Sequence, residues 1–160
     1  MKQRKHQAKR PAFSPNQIKQ ITEALKDFEQ TGRKQRTRDI RALLRDYVHF
    51  LIMTGARPGT ELKYLRYSDI ERFTRDGAVY LLIKVDGKAG ERSLVAPFSL
   101  ARYIDRLQRR NKPNSEYMFR LPDGSYPKDL HRAFQILLEQ LDLTHDCRGK
   151  RYSLYSLRHT

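Results

Sequence analysis

Apolar residues recur every three or four positions through the first third of the chain, which is the spacing of one buried helical face. The clearest run lies within residues 37–53, where the apolar positions are Ile40, Leu43, Leu44, Tyr47, Val48, Leu51 and Ile52. An earlier run follows Ser14, Pro15 and Gln17, which have the spacing of a helix N-cap with a capping box. The pattern therefore predicts two amphipathic helices, and Gly55 is placed to end the second of them.

The spacing changes from helical to alternating beyond residue 78. Apolar side chains then occupy every second position, at Val79, Leu81, Ile83 and Val85, which predicts a β-strand. The glycine-containing segment 86–90 predicts a turn, and residues 92–96 predict a returning strand. The pattern therefore indicates a β-hairpin near residues 79–96 that carries Lys88 at its tip.

Two further helical stripes follow the hairpin. The first begins after Ser99, a candidate N-cap, and ends before the segment 111–114. The second has its apolar positions at Leu130, Phe134, Leu137, Leu138 and Leu141. Because helices and strands do not alternate along the chain, these elements predict a mainly helical α+β domain with a small antiparallel β-sheet.

The chain is strongly basic, with 33 Lys and Arg residues against 18 Asp and Glu residues and a net charge of +15. Such an excess predicts a polyanionic partner. The basic residues are spread between the apolar segments rather than collected on one amphipathic helix, which favours nucleic acid over a membrane surface. At 160 residues the chain has the length of a single domain. The acid-free residues 1–12 are interpreted as a basic linker or arm before it.

Cysteine content and motifs limit the chemistry that the chain could perform. Cys147 is the only cysteine, so an internal disulfide is impossible and a reducing compartment is indicated. No apolar run has the length of a membrane span or of a signal peptide, so we expect a cytoplasmic, nucleoid-associated protein. His145 and Asp146 adjoin Cys147, but neighbouring positions project in different directions and spaced zinc ligands are lacking. Neither a metal nor another cofactor is expected.

Three cations lie where the predicted elements would hold them. Arg57 follows the glycine that ends the second helix and precedes Pro58, which suits the first turn of a new helix, so Arg57 sits on a tight elbow. Lys88 lies at the hairpin tip, and Arg158 lies in a predicted terminal helix. Two guanidinium groups can hold the oxygens of a phosphodiester transition state, and a lysine can protonate the departing oxygen. For each residue alone, a solvated surface cation is the alternative interpretation.

These cations lie in three sequence boxes. The boxes are TGARPGTEL over residues 54–62, Gly87-Lys88 in the hairpin, and Tyr155-Ser156-Leu157-Arg158-His159. Their order and spacing resemble the catalytic domain of the tyrosine recombinase, or phage integrase, family over residues 13–160. The resemblance implies the catalytic-domain fold of DNA breaking-rejoining enzymes and double-stranded DNA as the partner. It also implies site-specific cleavage and rejoining of DNA through a 3′-phosphotyrosyl intermediate.

Roles for the cations follow from the resemblance. Arg57 and Arg158 correspond to the two arginines that bind the scissile phosphate. Lys88 corresponds to the general acid that protonates the departing 5′ oxygen. Lys84 is the alternative for this lysine, but it lies within the predicted strand rather than at the hairpin tip, so we prefer Lys88.

Other residues of the boxes are assigned supporting roles. Glu61 is expected to support the elbow by pairing with a neighbouring arginine. Tyr155 stands where the family has a histidine; because a phenol has an ordinary pKa near 10, we assign Tyr155 to phosphate contact and not to proton abstraction. His159 is assigned to the same catalytic set. Further DNA contacts are predicted at Lys84, Arg92, Lys150 and Arg151.

The chain departs from the family pattern at the nucleophile. In the family the nucleophilic tyrosine follows the second arginine box, and this sequence ends at Thr160. We therefore expect residues 13–160 to be a partial catalytic domain, without the family's preceding DNA-clamping domain, that binds DNA and cannot cut it. The intact protein is expected to act as a tetramer on DNA without ATP or metal. A type IB topoisomerase and a non-catalytic DNA-binding module are the alternative interpretations.

Overall fold

The computed structural model describes residues 10–159, except for the side chain of His159. Most of the predicted basic arm therefore lies outside the described residues. The helices are α1 Pro15–Phe28, α2 Gln35–Thr54, α3 Thr60–Lys63, α4 Ala101–Arg110 and α5 Leu130–Gln140. The strands are β1 Ile70–Arg75, β2 Ala78–Gly87 and β3 Gly90–Pro97. Short 3₁₀ segments cover Tyr67–Asp69, Phe98–Leu100 and Leu154–His159.

The start of α1 and the end of α2 follow the local signals in the sequence. Ser14 and Gln17 form the predicted capping box, in which each side chain accepts a hydrogen bond from the other residue's backbone N–H, at 3.2 and 2.8 Å. Gly55 ends α2 with φ 66°, a left-handed conformation that glycine adopts without a steric penalty. Both predictions are confirmed. The elbow that follows α2 therefore has a fixed starting direction.

The sheet is antiparallel in the order β1-β2-β3. The predicted hairpin is confirmed but is longer than expected, because Gly87 pairs with Gly90 and only Lys88 and Ala89 remain in the turn. The sequence pattern did not predict β1. This edge strand has only two half-buried positions, Ile70 and the Phe73 ring, so it lacks the alternation that marks a half-buried strand.

Three predicted helix boundaries differ from those in the structure. Pro58 lies in the turn before α3 and not in its first turn. Ser99 lies in the 3₁₀ turn before α4, and Leu100 is the N-cap residue, so Ser99 does not cap the helix. The chain after Ser153 forms a 3₁₀ segment. There the Ser156 N–H donates to the Ser153 carbonyl at 2.9 Å, and the Ser156 hydroxyl accepts from the Ser153 N–H at 3.0 Å. The backbone bond joins residues three positions apart, which is the spacing of a 3₁₀-helix and is tighter than that of an α-helix.

The longest helix, α2, lies at the centre of the fold. It packs against α1, α4, α5, β3 and the last 3₁₀ segment. Its buried residues include Tyr47 and Phe50, whose rings both meet the ring of Phe119 edge to face. None of the helices within residues 10–159 is long and apolar enough to cross a membrane. The elbow at the end of α2 is therefore attached to a helix that is held by packing on several sides.

A buried ion cluster joins α1, α2 and α4. Glu29, the residue that follows α1, pairs with Arg45 at 2.9 Å and also with Arg106. Asp46 is fully buried and lies 3.1 Å from Arg110 and 3.2 Å from Arg106. Burial raises the pKa of Asp46 to about 6, although the positive charges of Arg106 and Arg110 oppose the shift. The cluster fixes the three helices relative to one another, but ionised Asp46 loses its hydration there.

We expect Asp46→Asn to change how stability depends on pH. The folded pKa of Asp46, about 6, lies above its ordinary value of 3.8, so between these values the folded state binds more protons and stability falls as pH rises. Relative to Asp46→Asn, the wild-type chain should lose about 1–3 kcal/mol of unfolding free energy from about pH 4 to pH 6. Urea unfolding measures this difference. Asp105→Asn, at an exposed position of α4, is the control. If the difference in unfolding free energy between wild type and Asp105→Asn changes with pH as steeply as the difference between wild type and Asp46→Asn, the assignment to Asp46 is contradicted.

Candidate nucleic-acid interface

The chain between α2 and α3 forms a tight elbow around Arg57. After Gly55 has ended α2, Gly59 adopts φ 98° and donates its N–H to the Tyr47 hydroxyl at 3.0 Å. The backbone N–H of Arg57 donates to a carboxylate oxygen of Glu61 at 2.7 Å. These contacts hold the backbone of Arg57 on both sides. The side chain of Arg57, about one third exposed, is therefore presented to solvent from a fixed position.

Glu61 is the central acceptor of the site. Its side chain is only 2% exposed, and its carboxylate accepts from the Arg57 guanidinium at 3.2 Å and from Nε and Nη2 of Arg92 at 2.9 Å each. Burial favours the neutral carboxyl. The hydrogen bonds from Arg92 and Arg57, together with their positive charges, outweigh burial and hold the pKa of Glu61 below its ordinary value. Glu61 is therefore an anion at neutral pH that joins the elbow to the hairpin.

The structure places Arg92, predicted as a DNA contact, on the Glu61 carboxylate. The two hydrogen bonds form a bidentate fork across 31 residues of sequence. The alternation of β3 contains a signal for this position, because Arg92 shares its face of the strand with the buried Leu94 and Ala96. That alternation indicates an inward-pointing arginine, which needs a buried anion.

Gly87, the last residue of β2, lies directly against Glu61. A Cβ atom at this position would approach the Glu61 Cγ to 2.9 Å and its Oε1 to 3.3 Å. A side chain there would displace the carboxylate. The sequence predicts a turn at Gly87. The structure adds a second reason for glycine at this position, which is the close approach of its backbone to the Glu61 side chain.

The two candidate lysines of the hairpin have different surroundings. Lys84 points away from the core and pairs with Glu71 of β1 at 2.6 Å, and the hydrogen bond with this carboxylate raises its pKa. Lys88 is exposed in the two-residue turn, immediately after Gly87. Because Gly87 touches Glu61, the turn places Lys88 at the end of the hairpin nearest the elbow. Lys88 therefore follows the residue that touches Glu61, whereas Lys84 is paired with a carboxylate of the edge strand.

Residues of the last box lie at the same elbow. The Nε of Arg158 donates to the Gly55 carbonyl at 3.1 Å. Tyr155 lines a cavity of about 350 Å³ together with Tyr47 of α2, Pro58 of the elbow, and residues of α5 and its preceding loop. The side chain of His159 lies outside the described part of the structure. The structure thus brings Arg57, Glu61, Tyr155 and Arg158 to one place.

The other predicted DNA contacts flank this cluster. Arg151 donates to the Gln135 side chain at 2.8 Å, and it shares a surface cavity with Tyr155 and Arg10. The guanidinium of Arg10 lies 4.7 Å from the centre of the Tyr155 ring. Lys150 lies in the loop before these residues, where its backbone N–H donates to Asp146 at 2.8 Å. Basic side chains therefore continue from the elbow along the edge of the last 3₁₀ segment.

The arrangement suits an anionic oxygen ligand. Glu61 occupies one side of the Arg57 guanidinium, and the backbone carbonyl of Gly55 occupies the Nε of Arg158, so each arginine is oriented and retains other N–H donors. Within residues 10–159, no group of three or more His, Cys, Asp and Glu side chains is placed to hold a metal ion. What the site offers is a set of oriented cations of the kind that bind phosphate.

Comparisons with known proteins identify the fold. No family model matches the chain, and no curated protein sequence matches it. Solved structures do match. The integrase of the Tn1549 transposon in complex with circular intermediate DNA is 17% identical, with a TM-score of 0.58 over 97% of this chain and 54% of that chain. Its tyrosine-to-phenylalanine variant in complex with transposon right-end DNA is 15% identical, with a TM-score of 0.59 over 97% of this chain and 52% of that chain.

These similarities cover nearly all of the present chain, which spans about half the length of the matched integrase chains. At such low identity they show the fold and not the activity. The predicted fold class, helices with a small antiparallel sheet, is confirmed, and the sheet has three strands. The chain has the α+β fold that is found in integrase structures with bound DNA.

Proposed function

We propose that this chain is the DNA-binding part of a tyrosine recombinase catalytic domain, with the scissile phosphate bound at the elbow around Arg57. One observation carries the proposal: the Arg158 guanidinium lies on the Gly55 carbonyl, 103 residues away in sequence. The fold thereby brings the second arginine box to the first. Two oriented arginines at one elbow can hold the non-bridging oxygens of a phosphodiester transition state.

The proposed chemistry belongs to the intact protein. A tyrosine that is not among these 160 residues loses its phenolic proton to water and attacks the phosphorus as the phenolate. Its oxygen forms a bond to phosphorus as the bond to the 5′ oxygen breaks. Arg57 and Arg158 hold the non-bridging oxygens, and Tyr155 donates a hydrogen bond to one of them. Lys88 gives its proton to the departing 5′ oxygen. Reversal by a 5′-hydroxyl of another strand rejoins the DNA, so no ATP or metal is consumed.

Other parts of the proposal concern the assembly. Exchange between two duplexes needs four active sites, so the intact protein is proposed to work as a tetramer on DNA. Residues 1–12 would link this domain to a DNA-clamping domain. The basic surface and the DNA-bound integrase neighbours are consistent with a cytoplasmic protein at the nucleoid.

The first experiment measures binding of the 160-residue chain to a DNA duplex at several salt concentrations. We expect the logarithm of the association constant to fall linearly with the logarithm of salt concentration, by about 0.9 for each neutralised phosphate. Strand cleavage should be absent, because none of the tyrosines of these 160 residues is the proposed nucleophile. Salt-independent binding would contradict the proposed interface, and a covalent DNA adduct would show that one of the chain's own tyrosines is the nucleophile. In the intact protein, strand exchange between duplexes distinguishes a recombinase from a topoisomerase, which only relaxes supercoils.

A further inference from the structure

We propose that Arg92 is a positioning residue, which locks the hairpin to the elbow through Glu61 so that Lys88 and Arg57 reach the same phosphate. The inference rests on the proposed function of the Arg57 elbow. It assigns Arg92 a role different from direct DNA contact. The evidence lies in how the guanidinium is held, in what surrounds its partner, and in the backbone that approaches the same carboxylate.

The Arg92 guanidinium is fully oriented by Glu61. Its Nε and Nη2 donate to the two different carboxylate oxygens at 2.9 Å each, which is a bidentate fork. The Arg92 side chain is 30% exposed and the Glu61 side chain only 2% exposed, so the fork is formed largely away from water. If Arg92 turned toward DNA, Glu61 would keep a buried negative charge with fewer partners. Leaving a buried charge in this way is strongly unfavourable.

Glu61 couples two separate parts of the site. The same carboxylate that holds Arg92 of β3 also accepts the backbone N–H and the guanidinium of Arg57 on the elbow. It therefore fixes the distance between the elbow and the hairpin. The sheet also packs on the helices around the elbow, because β2 contacts α3 and β3 contacts α2. To this apolar packing the fork adds a direct polar link between the two cationic elements.

The link between the hairpin and Glu61 also depends on the absence of a side chain at Gly87. The space above its Cα is filled by Glu61, whose Cγ would lie 2.9 Å from a Cβ. Its φ is not left-handed, so alanine would be acceptable to the backbone and unacceptable only because of the carboxylate. Lys88 is the next residue. A displaced Glu61 would therefore shift the hairpin turn directly, without any charge being lost.

A double-mutant cycle separates positioning from direct contact. Lys88→Gln and Arg92→Gln are made singly and together, and the salt dependence of duplex binding is measured for each. The salt slope is the fall in the logarithm of the association constant with the logarithm of salt concentration. If Arg92 positions Lys88, each single variant lowers this slope by about 0.9, the value for one phosphate contact, and the double variant lowers it no further. If Arg92 contacts phosphate itself, the two losses add to about two contacts, which would overturn the inference. Arg75→Gln removes one charge from a highly exposed position on the same sheet and is the matched control.

Gly87→Ala provides the second test, because it removes no charge. We expect Gly87→Ala to lower DNA affinity about tenfold, and adding Lys88→Gln to this variant should lower the affinity no further. Unchanged affinity in folded Gly87→Ala would overturn the inference. A third measurement does not depend on DNA: amide hydrogen exchange of residues 87–90 should accelerate in Arg92→Gln while the α2 amides keep their protection. Unaltered exchange in the turn would overturn the positioning role, whereas failure of the wild-type chain to bind DNA would overturn only the proposed function.

Discussion

Arg57→Ala is expected to reduce the affinity for duplex DNA by about 10- to 100-fold, because a hydrogen-bonded charge on a phosphate contributes about 1.5–3 kcal/mol. It should also lower the salt slope of binding by about 0.9, the contribution of one released counterion. The fold should remain intact. The backbone N–H of residue 57 can still donate to Glu61 in the alanine variant, and the elbow glycines and Tyr47 are unchanged. Fluorescence anisotropy across a salt series measures both quantities.

The matched control for Arg57→Ala is Arg75→Ala, which removes one positive charge from a highly exposed position at the end of β1. This variant should reduce affinity only slightly, through the general field of the basic surface. Equal losses in both variants would mean that Arg57 contributes as an unspecific surface charge. Broad unfolding of Arg57→Ala, seen as a lowered unfolding midpoint, would mean that the arginine is needed for the elbow itself.

Glu61→Gln is expected to have the largest effect on stability, a loss of about 2–4 kcal/mol of unfolding free energy at neutral pH. The amide keeps the shape of the side chain but brings an NH₂ group toward two guanidinium groups that the carboxylate now binds. One arginine must then turn away or remain without a full partner. Urea unfolding measures the loss, and DNA binding should weaken in the same variant because Arg57 and the hairpin are no longer held together.

The pH dependence of this loss has a defined sign. Because hydrogen bonds hold the folded pKa of Glu61 below its ordinary 4.5, the unfolded chain binds the proton first and stability falls as the solution is acidified. The advantage of wild type over Glu61→Gln should be complete above pH 4.5 and should disappear as pH falls through the folded pKa. Glu71→Gln, which breaks the exposed pair with Lys84, is the matched control and should change stability little. A deficit in Glu61→Gln that persists unchanged at low pH would contradict the ion-pair explanation.

The combined geometry explains why the elbow is suited to a phosphate. Glu61 is buried and anionic, and it orients Arg57 without occupying all of the donors of that guanidinium. Arg158 is oriented by a backbone carbonyl, which carries no charge to neutralise it. The site therefore keeps its positive charge while losing conformational freedom, and preorganised charge of this kind is effective at binding an anion.

Much of the local structure could be predicted from the sequence, because its causes lie within a few residues of one another. The capping box of α1, the left-handed Gly55 at the end of α2 and the two-stranded hairpin each depend on neighbouring residue types. The basic composition and the order of the three boxes also come from the chain alone. They led to a phosphate-binding hypothesis and to the class of fold that the structure shows.

The remaining features were decided by tertiary contacts. Three contacts join residues far apart in sequence, and only the packed fold sets their distances. They are Arg92 with Glu61, Gly87 with Glu61, and Arg158 with the Gly55 carbonyl. Burial decided that Asp46 carries a raised pKa and that Arg92 faces an anion. For the same reason the prediction of Ser99 as the N-cap of α4 is wrong, and the sequence pattern does not predict the edge strand β1. Local propensities are weak, and burial and pairing with distant segments determine which of them is realised.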